Sequence, residues 1–211
     1  MYRVAAALTV CAVLGSARAA VAAENDWDGD FGVKAERRSD FTLGLSVAPL
    51  FAGAYGYPNK AGKVGNDRYV ADPGLGFGSI ESVWLGGALR DWFTFGVGVT
   101  SLSYAKGGTT TSATGMIFRV ETFPLWAYGG AWRDAGAYAS FGIGGAKLEK
   151  DGHSVADGGA VSIVAFGAFW EPVRFGIFSF GPTTEYTLIS SRTATLYGAS
   201  LGARLVLYTR P

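Results

Sequence analysis

Two residue types that often carry chemistry are nearly missing: the 211-residue chain has one cysteine, Cys11, and one histidine, His153. A single thiol closes no intrachain disulfide and builds no cysteine metal site. A single histidine excludes the paired-histidine zinc centres, and no cofactor motif replaces them. Charge is sparse at 17%, and 18 basic against 17 acidic residues leave no basic footprint for nucleic acid. Beyond residue 23 no apolar run reaches the 18 or so residues that a membrane helix requires. The chain is instead rich in glycine and rings, with 32 Gly, 14 Phe, 10 Tyr and 6 Trp. That departs from ordinary soluble usage, and the length suggests one domain.

The first 23 residues read as a secretory signal peptide. Arg3 supplies the positive start, residues 4–15 (VAAALTVCAVLG) the short apolar stretch, and Ala20, Ala22 and Ala23 small-residue cleavage positions before Glu24. The apolar stretch is too short to span a bilayer, which takes about 20 residues. Cys11 lies inside it behind Val10, a poor match to a lipid-anchor site. Residues 24–40 form a polar periplasmic linker. Asp26, Asp28 and Asp30 resemble part of a calcium loop, but the twelfth position is Arg37 where a bidentate Glu is needed, so they read as solvated acids.

From Phe41 the pattern becomes period two, in eight segments near 41–55, 73–88, 92–105, 114–126, 135–148, 158–170, 174–189 and 194–208. The third is the plainest: Phe93, Phe95, Val97 and Val99 alternate with Thr94, Gly96, Gly98 and Thr100. On a helix that series would wind around the cylinder; on a strand it lines one face. After Val99 the bulky residues change parity to Leu102 and Tyr104, which predicts a β-bulge near residues 100–101. The connections after odd segments (56–72, 106–113, 149–157, 190–193) read as loops, and those after even segments, near 90–91, 128–133 and 171–174, as shorter turns.

The faces decide the environment. A soluble sandwich carries Lys, Glu, Thr and Asn on its outer face; here the second face is mostly Gly, Ala and Ser. Bulky residues therefore point outward into lipid, and small residues inward to a narrow lumen. Eight strands leave an interior that side chains can just fill, and the glycines leave room for large polar groups. Glu81, Arg119, Glu121, Glu185 and Arg204, isolated charges among small residues, form the expected interior polar cluster. Tyr55, Tyr57, Trp92, Tyr104, Trp126, Trp132 and Trp170 fall at segment ends, where interfacial girdles belong.

With its signal peptide, strand count, loop asymmetry and final ARLVLY strand, residues 41–208 resemble the small bacterial outer-membrane β-barrel proteins, the eight-stranded type with an outer-membrane protein A barrel-like architecture. The resemblance implies an all-β, eight-stranded antiparallel up-and-down transmembrane β-barrel in the cell outer membrane. Its partners would be outer-membrane lipids and the barrel-assembly machinery. Such chains usually end on an aromatic residue; here Tyr208 is followed by Thr209, Arg210 and Pro211.

Catalytic signals are thin. His153 adjoins Ser154 near Asp151 and Asp157, and outer-membrane lipid A deacylases use His and Ser separated by one residue. Adjacent side chains on an extended segment point apart, against the contact that nucleophile and base need. Gly74, Gly76 and Gly78, or Gly142, Gly144 and Gly145, complete no nucleotide loop. The reading is a non-enzymatic barrel with a structural or surface-adhesive role, its interior plugged by polar side chains. A narrow pore or transporter for small or apolar ligands is the first alternative, and a lipid-modifying hydrolase the second. The barrel reading predicts heat-modifiable gel mobility and β-rich circular dichroism in detergent; full recovery as a detergent-free soluble protein would contradict it.

Overall fold

The computed structural model describes residues 38–60, 62–128 and 130–210. The signal peptide, Cys11 and the acidic triplet of the linker lie outside the described residues. Nine strands follow in order: β1 Ser39–Gly56, β2 Gly76–Arg90, β3 Phe93–Lys106, β4 Thr109–Thr122, β5 Ala135–Lys150, β6 His153–Trp170, β7 Val173–Phe175, β8 Phe178–Ser190 and β9 Ala194–Arg210. Each pairs antiparallel with its neighbours, and β1–β9 and β6–β8 pairings close the sheet on itself. The nine strands make eight staves. β7 continues the β6 stave, pairing with β8 from Val173↔Phe180 where β6 leaves off at Phe169↔Thr183. Pro172, which has no N–H to give a ladder, sits in the break between them.

The stagger can be read from the register. Paired residues lead from Leu43 through Leu85, Val97, Phe118, Phe141, Val164, Leu188 and Tyr197 back to β1 at Gly53, ten residues beyond the start. Strands so staggered tilt by about 40°. All the residues on that path before Gly53 are bulky, and all are exposed except the half-buried Val164. The apolar outer row of β1 from Phe41 to Phe51 then rises about 25 Å along the axis, the height of an outer-membrane apolar band.

The expected bulge in β3 is not present. Its ladder runs unbroken to β2 from Ala105↔Phe77 to Thr94↔Ala88, and to β4 along its whole length. The parity change has another cause: the environment on the two faces exchanges. Below that level Val97 and Val99 are exposed while Thr94 and Thr100 are buried. Above it Leu102 and Tyr104 are buried while Ser101 and Ser103 are exposed. β5 repeats the exchange, with Phe141 and Ile143 outside below, Ala146 and Leu148 inside above, and exposed Lys147 between those two. β2 and β4 do the same, at Val83 over to Ile80 and at Met116 over to Ala113. Hydrocarbon takes the apolar residues on the outside; where water replaces it, they turn inside as in a soluble barrel. The expectation of a small, polar inner face along the whole length is thus corrected. Leu50, Ile80, Leu102, Leu148, Ile163, Ile189 and Leu196 pack an apolar core across the upper half of the lumen.

The connections depart from expectation too. At the end away from the termini, Gly107-Gly108 and Asp151-Gly152 make two-residue hairpins with positive φ at all four residues, the twist such hairpins need. Residues read as loops after β3 and β5 are strand: Thr109, Thr110 and Thr111 are β-branched and pair fully with β3 and β5. Among the described residues, the connection between Gly56 and Gly76 is the long loop at that end. At the other end, residues 123–134 make a long connection with two 3₁₀ turns, Trp126–Tyr128 and Gly130–Asp134.

The face exchange yields a test. Val97→Lys is expected to destabilise the barrel in vesicles by about 2–4 kcal/mol, whereas Ser103→Lys costs no more than about 0.5 kcal/mol. Urea unfolding in lipid would show comparable losses if Ser103 faced hydrocarbon.

Candidate functional site in the barrel interior

Arg119 and Glu121 stand two apart on β4 and so share its inner face. Arg204 on β9 crosses the lumen to meet them. Its Nη1 donates to Glu121 Oε1 at 3.1 Å and its Nη2 to Oε2 at 3.0 Å. The same Nη2 lies 3.0 Å from Glu171 Oε1, and Arg119 Nε lies 3.0 Å from Glu121 Oε1. Thr94 Oγ1 also donates to Glu121, at 3.0 Å. The planar fork of Arg204 suits this two-point contact, which a lysine could not reproduce. Glu185 is held differently: it accepts from Tyr138 OH at 2.6 Å and from Thr187 Oγ1 at 2.6 Å.

Rings complete the packing. The Arg119 guanidinium lies between Trp84, 4.1 Å from its centroid, and Tyr138, at 3.6 Å. Arg204 sits 3.7 Å from the Phe169 ring. Desolvated cation–π contacts of this kind contribute about 2 kcal/mol each and cover charge that two carboxylates alone would leave bare. Glycine makes the space. A Cβ on Gly44 would overlap the Trp84 indole, one on Gly167 the Tyr138 ring, and one on Gly136 the Phe169 ring.

A second polar layer closes the end that carries the termini. Arg38 Nη1 donates to the Asp91 carbonyl at 3.0 Å and pairs with its carboxylate at 3.4 Å, while Nη2 pairs with Asp134. Arg133 pairs with Asp91 from the other side. Tyr208 OH donates to Glu171 at 3.1 Å.

Four of the five charges singled out in the sequence therefore lie in the lumen: Arg119, Glu121, Glu185 and Arg204. Glu81 does not. It is exposed on the outer face of β2, paired across the strands with exposed Val47 and Ser101. Its parity follows Val83, not Ser82, which corrects its assignment to the interior. Tyr104 is corrected in the opposite sense: at 2% exposure it belongs to the upper core, hence not to a girdle. Tyr55, Trp92, Trp126, Trp132 and Trp170 are exposed and Tyr57 half-buried. Sequence reasoning passed over Trp84, Tyr138, Glu171 and Tyr208. Trp84 and Tyr138 carried a signal, because each shares parity with small residues, Ser82 and Gly86 or Gly136 and Ser140.

The lumen is filled at both levels. Arg119, Arg204, Leu50, Ile163, Ile189 and Leu196 are each 1% exposed and Leu148 0%; a water-wide path would expose the side chains along it. His153 and Ser154 are exposed neighbours on β6, and Ser154 Oγ donates to its own strand at the Ala156 carbonyl, 3.5 Å away. Asp157 accepts from Gly159 N at 2.8 Å. These contacts assemble no nucleophile–base–acid array. Among the described residues no group of three or more His, Cys, Asp or Glu is placed to hold a metal ion.

No protein-family model and no curated protein sequence matches the chain. Solved structures do. Ail, the attachment invasion locus protein of Yersinia pestis, is 10% identical over 80% of this chain and 99% of its own, with a TM-score of 0.46. Neisserial surface protein A is 11% identical over 78% and 96%, with a TM-score of 0.48. OprG from Pseudomonas aeruginosa is 9% identical over 82% and 97%, at 0.42. The structural neighbours are small eight-stranded outer-membrane barrels. The likeness is one of fold.

Removing Glu121 would take away the carboxylate that pairs with buried Arg119 and leave buried Arg204 with Glu171 alone. Glu121→Ala is expected to cost about 3–5 kcal/mol, against less than about 0.5 kcal/mol for Glu81→Ala. Denaturant titration of both variants in vesicles measures the difference.

Proposed function

We propose that the protein is a sealed, integral outer-membrane barrel with a structural or surface-adhesive, non-enzymatic role. Its termini face the periplasm, and its upper wall and the 57–75 loop stand outside the cell. The observation that carries this is the double filling of the lumen, charged and aromatic below, aliphatic above, with central side chains at 0–1% exposure. A barrel built to conduct keeps its lining groups wet. Here the strands instead continue beyond the apolar band as a wall whose outer face carries Ser101, Ser103, Thr110, Thr114 and Lys147. Rigid hydroxyl-bearing strands held clear of the lipid suit contact with other surfaces. Lipids of the outer membrane surround the band, and export through a cleaved signal peptide with insertion by the barrel-assembly machinery completes the reading.

Planar-bilayer recording is expected to give no unitary conductance above background; discrete, reproducible openings would favour the pore. His153→Ala and Ser154→Ala are expected to leave the lipid A profile of the cell unchanged. Surface placement predicts that Thr110→Cys on intact cells reacts with an impermeant maleimide while Val97→Cys does not.

A further inference from the structure

The connection between β4 and β5 has two unlike faces. Toward the lumen mouth it turns Phe123, Arg133 and Asp134, which are 0%, 2% and 8% exposed. Phe123 meets the Phe169 ring at 5.1 Å, and the Arg38 guanidinium covers it at 3.5 Å. Away from the lumen it turns Trp126, Tyr128 and Trp132, at 37%, 82% and 66% exposure. Trp132 stacks on Trp170 at 6.1 Å, and Trp170 ends the outward row of β6 that contains Phe166 and Ala168. The connection thus runs beside the lower edge of the apolar band. There a ring with an apolar body and a single N–H or O–H has hydrocarbon on one side and headgroups on the other. Exposed Leu89, Trp92 and Phe175 extend the same edge around the barrel.

The charged groups of the closure lie outside the strands of the wall. Arg38 precedes β1, Asp91 stands in the β2–β3 turn, and Arg133 and Asp134 end the β4–β5 connection. Beyond the strand ladders, two backbone bonds tie this layer to the wall, Phe123 N donating to the Trp92 carbonyl at 2.9 Å and Glu171 N to the Asp134 carbonyl at 3.0 Å. We propose that residues 123–128 and 130–134 form a membrane-anchored lid. Docking of Trp126, Tyr128 and Trp132 at the headgroup–acyl boundary of the adjacent leaflet holds Phe123, Arg133 and Asp134 over the lumen. The partner is a lipid surface because the outward side chains are amphipathic rings, one of them, Trp132, stacked on the lipid-facing Trp170, while the charges of the connection turn inward and pair. The proposal rests on the membrane-spanning reading of the barrel.

The full chain in a Cys11→Ser background, reconstituted in phosphatidylcholine vesicles, tests it. A fluorescent NBD label at Tyr128→Cys is expected to be quenched more by lipids brominated near the headgroup than by lipids brominated near the chain ends. A label at Val97→Cys should be quenched by bromolipid of either kind. Quenching at 97 but not at 128 overturns the lid alone; quenching at neither overturns the membrane-spanning reading. Ser46→Cys, buried in the lower lumen opposite Ser82 and Arg204, then reports closure. Joint Trp126→Ser and Trp132→Ser should speed its modification by a small cationic methanethiosulfonate by about tenfold or more, the response to a lost anchor of about 1.4 kcal/mol. Joint Trp126→Phe and Trp132→Phe, which keep apolar rings, should leave it slow. An unchanged rate in a heat-modifiable serine variant, or a fast rate in the phenylalanine variant, overturns the coupling.

Discussion

Backbone amides and carbonyls in hydrocarbon have no water to bond, so each strand of a membrane wall must be paired on both sides. Closure through β1–β9 and β6–β8 meets that demand, and the rest of the molecule follows from its geometry. Eight staves with a ten-residue stagger enclose little more than the width of side chains. A tube so narrow has to be filled, and what fills it is decided level by level by the medium outside.

Where lipid lies outside, the apolar residues are spent on the outer face and the filling is polar. Buried charge is costly unless it is fully paired, and the lower lumen answers with shared carboxylates and rings. Glu121 serves both Arg119 and Arg204, Glu171 adds to Arg204, and Trp84, Tyr138 and Phe169 lie against the guanidinium faces. Glycines at 44, 136 and 167 are the counterpart of those rings. Where water lies outside, the filling is Leu, Ile and Ala. A lumen packed with side chains at both levels is the joint result of both regimes.

Much of this was legible in the sequence. Alternation through Phe93, Phe95, Val97 and Val99 gives the strand and, with so few outer charges, the membrane. Arg119, Glu121, Glu185 and Arg204 stand out as lone charges on a small-residue face. Period two, however, states only which residues share a face, and not which medium that face meets. Period two alone therefore points Glu81 inward and the parity change before Leu102 to a bulge, whereas Glu81 is exposed and the ladder is continuous. The threonine-rich stretch after residue 108 resembled a loop because, above the membrane, a strand carries polar residues outward. Arg38, Asp91, Arg133, Asp134 and Glu171 come from four separate segments, and no local spacing links them; only the closed fold does.

The exchange of faces along β2, β3, β4 and β5 also sets how deep the barrel sits. Outward side chains recur every second residue, so a shift of about 5 Å along the membrane normal moves one outward residue of each tilted strand across the membrane boundary. One such step toward the end that carries the termini would draw Glu81, Ser101 and Thr114 into hydrocarbon. One step the other way would put Val83, Val99 and Met116 into water. Each error is repeated on neighbouring strands, so the costs add. The vertical position is thereby fixed by the pattern of the wall itself, as a notched rod is held by its detents.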